Sequence, residues 1–418
     1  MLCYAKYFPG IKNMDLAAAM EFLAANQQQM LDLTIQLADI NSGTFNLAGI
    51  KKVAAIMQAE MATLGCEHVS MPVAPYRVIN AHGGKEERPL GSVLRFWKRP
   101  QAAIQVLLMG HLDTVYDVGH SLQHTSKIGG DLLAGPGVTD MKGGLAVLLW
   151  ALKAFEQLPQ AQNIGWEVLL NADEEIGSPG SAEIIAQRAK QHQVGFLFEP
   201  AMDEHGTLAG ARKGSGNFTV VMRGKSAHAG RNFADGRNAI CKMAEFISKI
   251  NALNKQRPEV TLNIGFVQGG EALNVVPDCC ICRLNIRIGT MEDAIWISNT
   301  FDNMVNEVNK AGDYHVEIIG GFHRQPKLLD DKTLQLYKLV QVVGNKMGLE
   351  IKWQSCGGCS DGNNLAAVGL PNVDTLGVHG GRIHSQQEFM FIASLLKRAQ
   401  LFTQILFYLS ENGLNNGT

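Results

Sequence analysis

Ile104-Gln-Val-Leu-Leu-Met-Gly-His-Leu-Asp113 decides the fold class. An apolar run too short for a helix and closed by Gly110-His111 predicts a strand buried on both faces. Residues 143–157 then carry apolar side chains at helical spacing. Trp166-Glu-Val-Leu-Leu170 repeats the strand signal and runs into Asn171-Ala-Asp-Glu-Glu175, after which 181–191 read as a helix. Val194-Gly-Phe-Leu-Phe198 is a third strand, ending at Glu199-Pro200. Strand and helix alternate, which predicts an α/β unit with a mostly parallel sheet. Upstream, residues 16–38 and 48–64 predict two helices, separated by Asn41-Ser-Gly-Thr44, whose hydroxyls suit the cap of the second.

The rhythm changes after about residue 210. Residues 217–223, 260–267 and 280–288 read as strands and 236–253 and 293–310 as helices, a mixture that predicts an α+β insert with an antiparallel sheet. Beyond Pro326 the α/β texture returns, with helices over 332–347 and 388–409 and a fraying tail over 412–418. The expected layout is one α/β domain, residues 1–212 and 323–418, interrupted by a second at 213–322.

At 418 residues the chain is long enough for two or three domains. Hydrophobic residues at 46% and charged residues at 18% exclude a disordered chain. Lys and Arg number 37 against 39 Asp and Glu, so the net charge of -2 leaves no basic footprint for nucleic acid or an anionic membrane. No apolar window is long enough to span a bilayer. Lys6, Lys12 and Asn13 interrupt the first apolar stretch before it reaches the length of a secretory signal, so a cytoplasmic location is expected. Eight cysteines, clustered at Cys279, Cys280 and Cys282 and at Cys356 and Cys359, do not resemble a disulfide framework. Cys356-Gly-Gly-Cys359 lacks the second pair of a zinc knuckle, and the thiols are expected to be reduced. Arg223-Gly-Lys-Ser226 resembles the end of a phosphate loop, but Thr219 stands where its first glycine belongs.

Four polar clusters fall where predicted strands end: His111-Leu-Asp113, Asp140, Asp173-Glu-Glu175 and Glu199. Open α/β sheets bind ligands at the carboxyl ends of their strands, so these clusters should converge on one crevice. Alone, an HxD at a strand end is usually a surface pair and an acidic run a solvated face. Together in order they make a constellation, because so many carboxylates repel one another unless a cation neutralises them. Histidine with carboxylate oxygens suits zinc, manganese or cobalt. His384, in Gly380-Gly-Arg-Ile-His-Ser385, is a fifth candidate.

The motifs Gly110-His-Leu-Asp-Thr-Val115, Gly137-Val-Thr-Asp-Met-Lys-Gly-Gly144, Asp173-Glu-Glu-Ile-Gly177, Phe198-Glu-Pro200, Gly224-Lys-Ser-Ala-His-Ala-Gly230 and His384-Ser385 resemble, in order, those of the co-catalytic zinc hydrolases. That family includes glutamate carboxypeptidase, acetylornithine deacetylase, succinyl-diaminopimelate desuccinylase and aminoacylase. The resemblance covers nearly the whole chain, from about Leu31 to the final helix. It implies a zinc-peptidase-like catalytic domain, with a mixed sheet and helices on both faces, and a lid and dimerisation domain at 213–322. It also implies two metal ions, expected to be Zn2+ with Co2+ or Mn2+ as alternatives. His111 and Glu199 would hold one, Glu175 and His384 the other, and Asp140 would bridge them. Asp113 would fix the His111 tautomer and Glu174 would be the general base. His228 would reach the active site of a partner subunit, while Asn274 and Arg287 would contact substrate, Arg287 gripping a terminal carboxylate.

Two departures bear on substrate choice. Family members that release C-terminal glutamate carry a lysine after the Glu-Pro strand, where this chain has His205-Gly-Thr207; Arg324 and Arg212-Lys213 are the basic residues that remain. In Gly357-Gly-Cys-Ser-Asp361, which resembles a glycine-rich substrate wall including Gly358, Cys359 stands where glycine is common and would narrow the pocket. The expected activity is hydrolysis of an amide beside a free carboxylate. A glutamate-carboxypeptidase-like action on small peptides or N-acyl amino acids leads, N-acyl-amino-acid deacylation is the close alternative, and a metal-free binding protein on the same scaffold is the alternative of another class.

Overall fold

The computed structural model of the chain describes residues 15–80 and 82–414. The reading of the first apolar stretch at Lys6, Lys12 and Asn13, and the end of the tail from 415, lie outside them. A six-stranded sheet runs in the order Glu67–Met71, Val93–Lys98, Ile164–Asn171, Ile104–His111, Val194–Leu197, Asn372–Val373. The last four strands are parallel, and each of the first two pairs antiparallel with its neighbour. Val106–Met109, the middle of Ile104–His111, is apolar because both of its faces are covered. Val106 and Leu108 pack beneath the helices Gly143–Phe155 and Ile392–Asn412, while Leu107 and Met109 meet Ile185 and Leu365 on the other side.

Residues between 214 and 324 build a four-stranded antiparallel sheet in the order Thr261–Gly269, Cys279–Ile288, Gly214–Arg223, His315–Arg324. Its alternating inward residues, among them Phe218, Val220, Leu284 and Ile286, bury against the helices Ala239–Ala252 and Met291–Ala311 and form a separate core. The other face packs Val221 and Ile281 on Ile79, from the hairpin Tyr76–Ile79 and Lys85–Arg88. The strand His315–Arg324 ends against the first sheet's site, which is how Arg324 arrives there.

Four expectations are corrected. Residues 16–38 form two helices, Leu16–Ala25 and Gln27–Ala38, so three helices rather than two precede the sheet. The break falls at Asn26, whose amide side chain donates to the Phe22 carbonyl and ends the first helix. The helix Leu47–Ala62 is capped by Asn46, not by Ser42 or Thr44, whose hydroxyls are engaged at the site described below. The last helix starts at Ile392 rather than 388, because Phe389–Phe391 first pairs with Leu132–Ala134. Asp140 is not at a strand end; it lies in the turn Val138–Lys142 that opens the helix Gly143–Phe155. The seven described cysteines are free. Among the described residues no helix is long and apolar enough to cross a membrane.

Candidate dinuclear metal centre

Because Ile104–His111, Ile164–Asn171 and Val194–Leu197 are adjacent and parallel, the residues that leave their carboxyl ends share one crevice. His111, the Asp173-Glu174-Glu175 run and Glu199 meet there. Asp140 enters from the turn Val138–Lys142, and His384 from the loop between Gly380–Gly381 and Phe389–Phe391.

Their ligand atoms fall into two groups, His111 with Asp140 and Glu199, and His384 with Asp140 and Glu175. His111 Nε2 lies 3.1 Å from Asp140 Oδ1 and 3.8 Å from Glu199 Oε2. His384 Nε2 lies 3.2 Å from Asp140 Oδ2 and 3.2 Å from Glu175 Oε2. Asp140 thus presents one oxygen to each group.

The backing hydrogen bonds come from Asp113, which is fully buried. Its carbonyl lies 3.1 Å from His111 Nδ1 and its Oδ1 3.4 Å from the same nitrogen, which favours the tautomer leaving Nε2 free. The Asp113 carboxylate also accepts the Glu174 and Glu175 backbone N–H groups and the Thr44 hydroxyl. One side chain therefore fixes the first histidine and the acidic run together. Buried Lys142 donates to the Ser42 hydroxyl at 2.7 Å and to the Leu112 carbonyl, pinning the turn that separates His111 from Asp113. Burial draws its pKa down to about 8 against the pull of Asp113 and Glu175.

The donor set demands a cation. Burial, then the charge of Asp140, pushes Glu175 up to about 8, and burial with the charge of Glu174 raises Glu199 well above the carboxylate range. Burial opposes ionisation of Asp140 too, but His111 and His384 together hold it below its usual range. Glu175 Oε1 is buried without a hydrogen-bond partner. Buried carboxylates facing one another, one with an orphaned oxygen, fit divalent cations with nitrogen and oxygen donors.

Glu174 stands at the edge of this group, its pKa raised by burial and restrained by Arg324. Arg324 Nη2 donates to Glu174 Oε1 at 2.7 Å, to Ser178 Oγ at 3.0 Å and to Asp361 Oδ1 at 3.2 Å. The remaining sequence candidates lie on other elements. His228 is exposed beyond the end of the strand Gly214–Arg223, bridged to Val275, and Ala229 N–H donates to the Asn274 carbonyl, so His228 and Asn274 are neighbours. Among the described residues no hydrogen bond joins either to the acidic crevice within one chain. Arg287 Nη1 lies 2.9 Å from Cys359 Sγ, and the Gly358 carbonyl accepts from Arg212 at 3.2 Å. The link from Arg324 to Glu174 and the bonds of Lys142 carry no local sequence signature.

At the carboxyl ends of the parallel strands, two histidines and three carboxylates come together in overlapping triads, a donor set suited to the two-metal kind of hydrolase. The chain belongs to peptidase family M20/M25/M40, whose family model matches residues 107–408. It is 27% identical over 395 residues to carboxypeptidase G2 of Pseudomonas sp. (strain RS-16), covering 92% of this chain and 91% of that one. It is 26% identical over 404 residues to succinyl-diaminopimelate desuccinylase of Psychrobacter arcticus, covering 92% and 95%. A metallo-carboxypeptidase of family M20 from Sulfolobus solfataricus has the same fold, with a TM-score of 0.70 at 17% identity over 90% of this chain and 98% of that one. The protein is a hydrolytic enzyme of the metallopeptidase and amidohydrolase type.

Proposed function

We propose that the protein hydrolyses an amide bond next to a free carboxylate at a centre of two zinc ions, with cobalt or manganese as the metals the same donors accept. The observation that carries this is the division of Asp140, one oxygen toward His111 and Glu199 and the other toward His384 and Glu175. When bound, the two cations would polarise the scissile carbonyl and acidify the attacking water. Glu174 takes the proton of that water and passes it to the leaving nitrogen, its carboxylate kept basic by burial. Asp113 holds the His111 ring and the Glu174 backbone in register. Arg287, beside the Gly358 loop, grips the substrate carboxylate, and Asn274 orients the substrate.

Residues 1–212 and 323–418 form the catalytic domain, and 213–322 act as lid and dimer interface. His228 then serves the site of a second copy, where it stabilises the charge that develops on the carbonyl oxygen. Supporting this are the edge strand Thr261–Gly269 and the exposed Phe266, Val267, Leu273 and Val275 near it, apolar surface suited to a second copy of the chain. The enzyme acts in the cytoplasm on small peptides or N-acyl amino acids.

Carboxypeptidase action on glutamyl or other amino-acyl conjugates leads, supported by the likeness to carboxypeptidase G2. N-acyl-amino-acid deacylation is favoured by a comparable likeness to a desuccinylase and by His205-Gly-Thr207 where glutamate-releasing members carry lysine. A hydrolysis screen over dipeptides, glutamyl conjugates and N-acyl amino acids, with metal content measured on the same sample, tests both. Turnover of none of these by metal-loaded protein would refute the proposal.

A further inference from the structure

Glu388 is fully buried and lies four residues after His384. Its carboxylate receives four donors. Oε1 accepts the backbone N–H groups of Thr139 at 2.8 Å and Asp140 at 3.0 Å. Oε2 accepts the Tyr116 hydroxyl at 2.6 Å and the Gly137 N–H at 3.2 Å. Tyr116 Oη also lies 2.9 Å from the Ser385 carbonyl, so the phenol touches the His384 loop as well.

The turn around Asp140 has backbone N–H groups that no helix or strand satisfies, since Asp140 and Met141 depart from helical dihedrals. A carboxylate is the group best matched to several convergent N–H donors, and its charge strengthens each bond. Glu388, with Tyr116, therefore does for Asp140 and the His384 loop what Asp113 does for His111 and the acidic run: its side chain joins chain segments 248 residues apart, and Tyr116 carries the link on to Ser385.

We propose that Glu388 is a positioning residue of the two-metal centre, holding Asp140 and His384 at the mutual spacing that lets Asp140 serve both metals. This rests on the assignment of those two residues as ligands. Because Asp140 belongs to both triads, loss of Glu388 weakens both ions together, whereas removal of Glu199 or Glu175 strikes one triad.

The test is Glu388→Gln. Both carboxylate oxygens accept from N–H or O–H groups, so an amide nitrogen in either place sets donor against donor. Apo-protein is titrated with Zn2+ by calorimetry, and the Co2+-loaded form is examined by visible absorption. The expected result is affinity lowered ~10–100-fold for both ions, the usual consequence of losing a group that orients a ligand. The Co2+ spectrum should shift, and kcat should recover at saturating Zn2+ with KM unchanged. Wild-type affinity and spectrum in a folded Glu388→Gln protein would overturn the proposal. Wild-type protein that binds no metal would instead refute the ligand assignment beneath it. If Glu388→Gln does not fold, Tyr116→Phe, which removes one of the four donors, decides the matter: weakened affinity for the pair supports the proposal and native affinity overturns it.

Discussion

Replacing Glu174 by Gln separates the proton-transfer role from the metal-holding roles around it. The amide retains an oxygen that can accept from Arg324 Nη2, now 2.7 Å from Glu174 Oε1. Arg324 also keeps Asp361 at 3.2 Å as a counter-charge, so the usual cost of ~3–5 kcal/mol for stranding one member of a buried ion pair is largely avoided. Folding and metal content should stay near wild type, since Glu174 is absent from both triads of ligand atoms. Catalysis should not. A general base typically contributes ~10² to 10⁴ in rate, which at 1.36 kcal/mol per tenfold is about 2.7–5.4 kcal/mol of the barrier. The assay is kcat on the best substrate from the hydrolysis screen, with metal content and thermal midpoint measured on the same preparation. A variant with near-native kcat, or one that loses its metal, would refute the assignment of Glu174 as base.

Three further outcomes are expected. His228→Ala and Glu174→Ala homodimers should each be nearly inactive, while heterodimers verified by mass spectrometry should regain activity, because one of their two sites combines an intact metal crevice with an intact histidine from across the interface; verified heterodimers without activity would show that His228 acts within its own chain. Phe402, fully buried and edge-on to Phe196 and Phe198, ties the last helix to the central sheet, and Phe402→Ala should cost about 3–5 kcal/mol by urea denaturation; a loss under 1 kcal/mol would contradict that packing. Cys359→Gly releases the Arg287 guanidinium, now 2.9 Å from the thiol, and should lower KM for carboxylate-bearing substrates several-fold; an unchanged KM would separate Arg287 from substrate binding.

What the sequence displays is set by how far each feature depends on residues nearby. Ile104–His111 is legible because burial on both faces leaves Val106–Met109 an unbroken apolar run. Glu67–Met71 is not, since its side chains are largely exposed at the sheet edge and Glu67-His-Val-Ser-Met71 has no apolar periodicity. Asn26 breaks a helix inside a run whose apolar spacing continues past it, because the cause is one side-chain bond back to Phe22. At the site, His111, Asp140, Glu174, Glu175, Glu199 and His384 stand in short motifs whose residue types announce their chemistry. The bond of Arg324 to Glu174 and the role of Glu388 are hidden. The partners of these two residues lie 150 and 248 residues away, and only the converging strands and turns bring them together.

The most direct test of the dinuclear centre is anomalous scattering from crystals of the enzyme loaded with zinc, collected on both sides of the zinc absorption edge. Two peaks are expected, one beside each oxygen of Asp140, the first within reach of His111 and Glu199 and the second within reach of Glu175 and His384. A single peak, or peaks away from Asp140, would contradict the dinuclear centre from which the proposed chemistry follows.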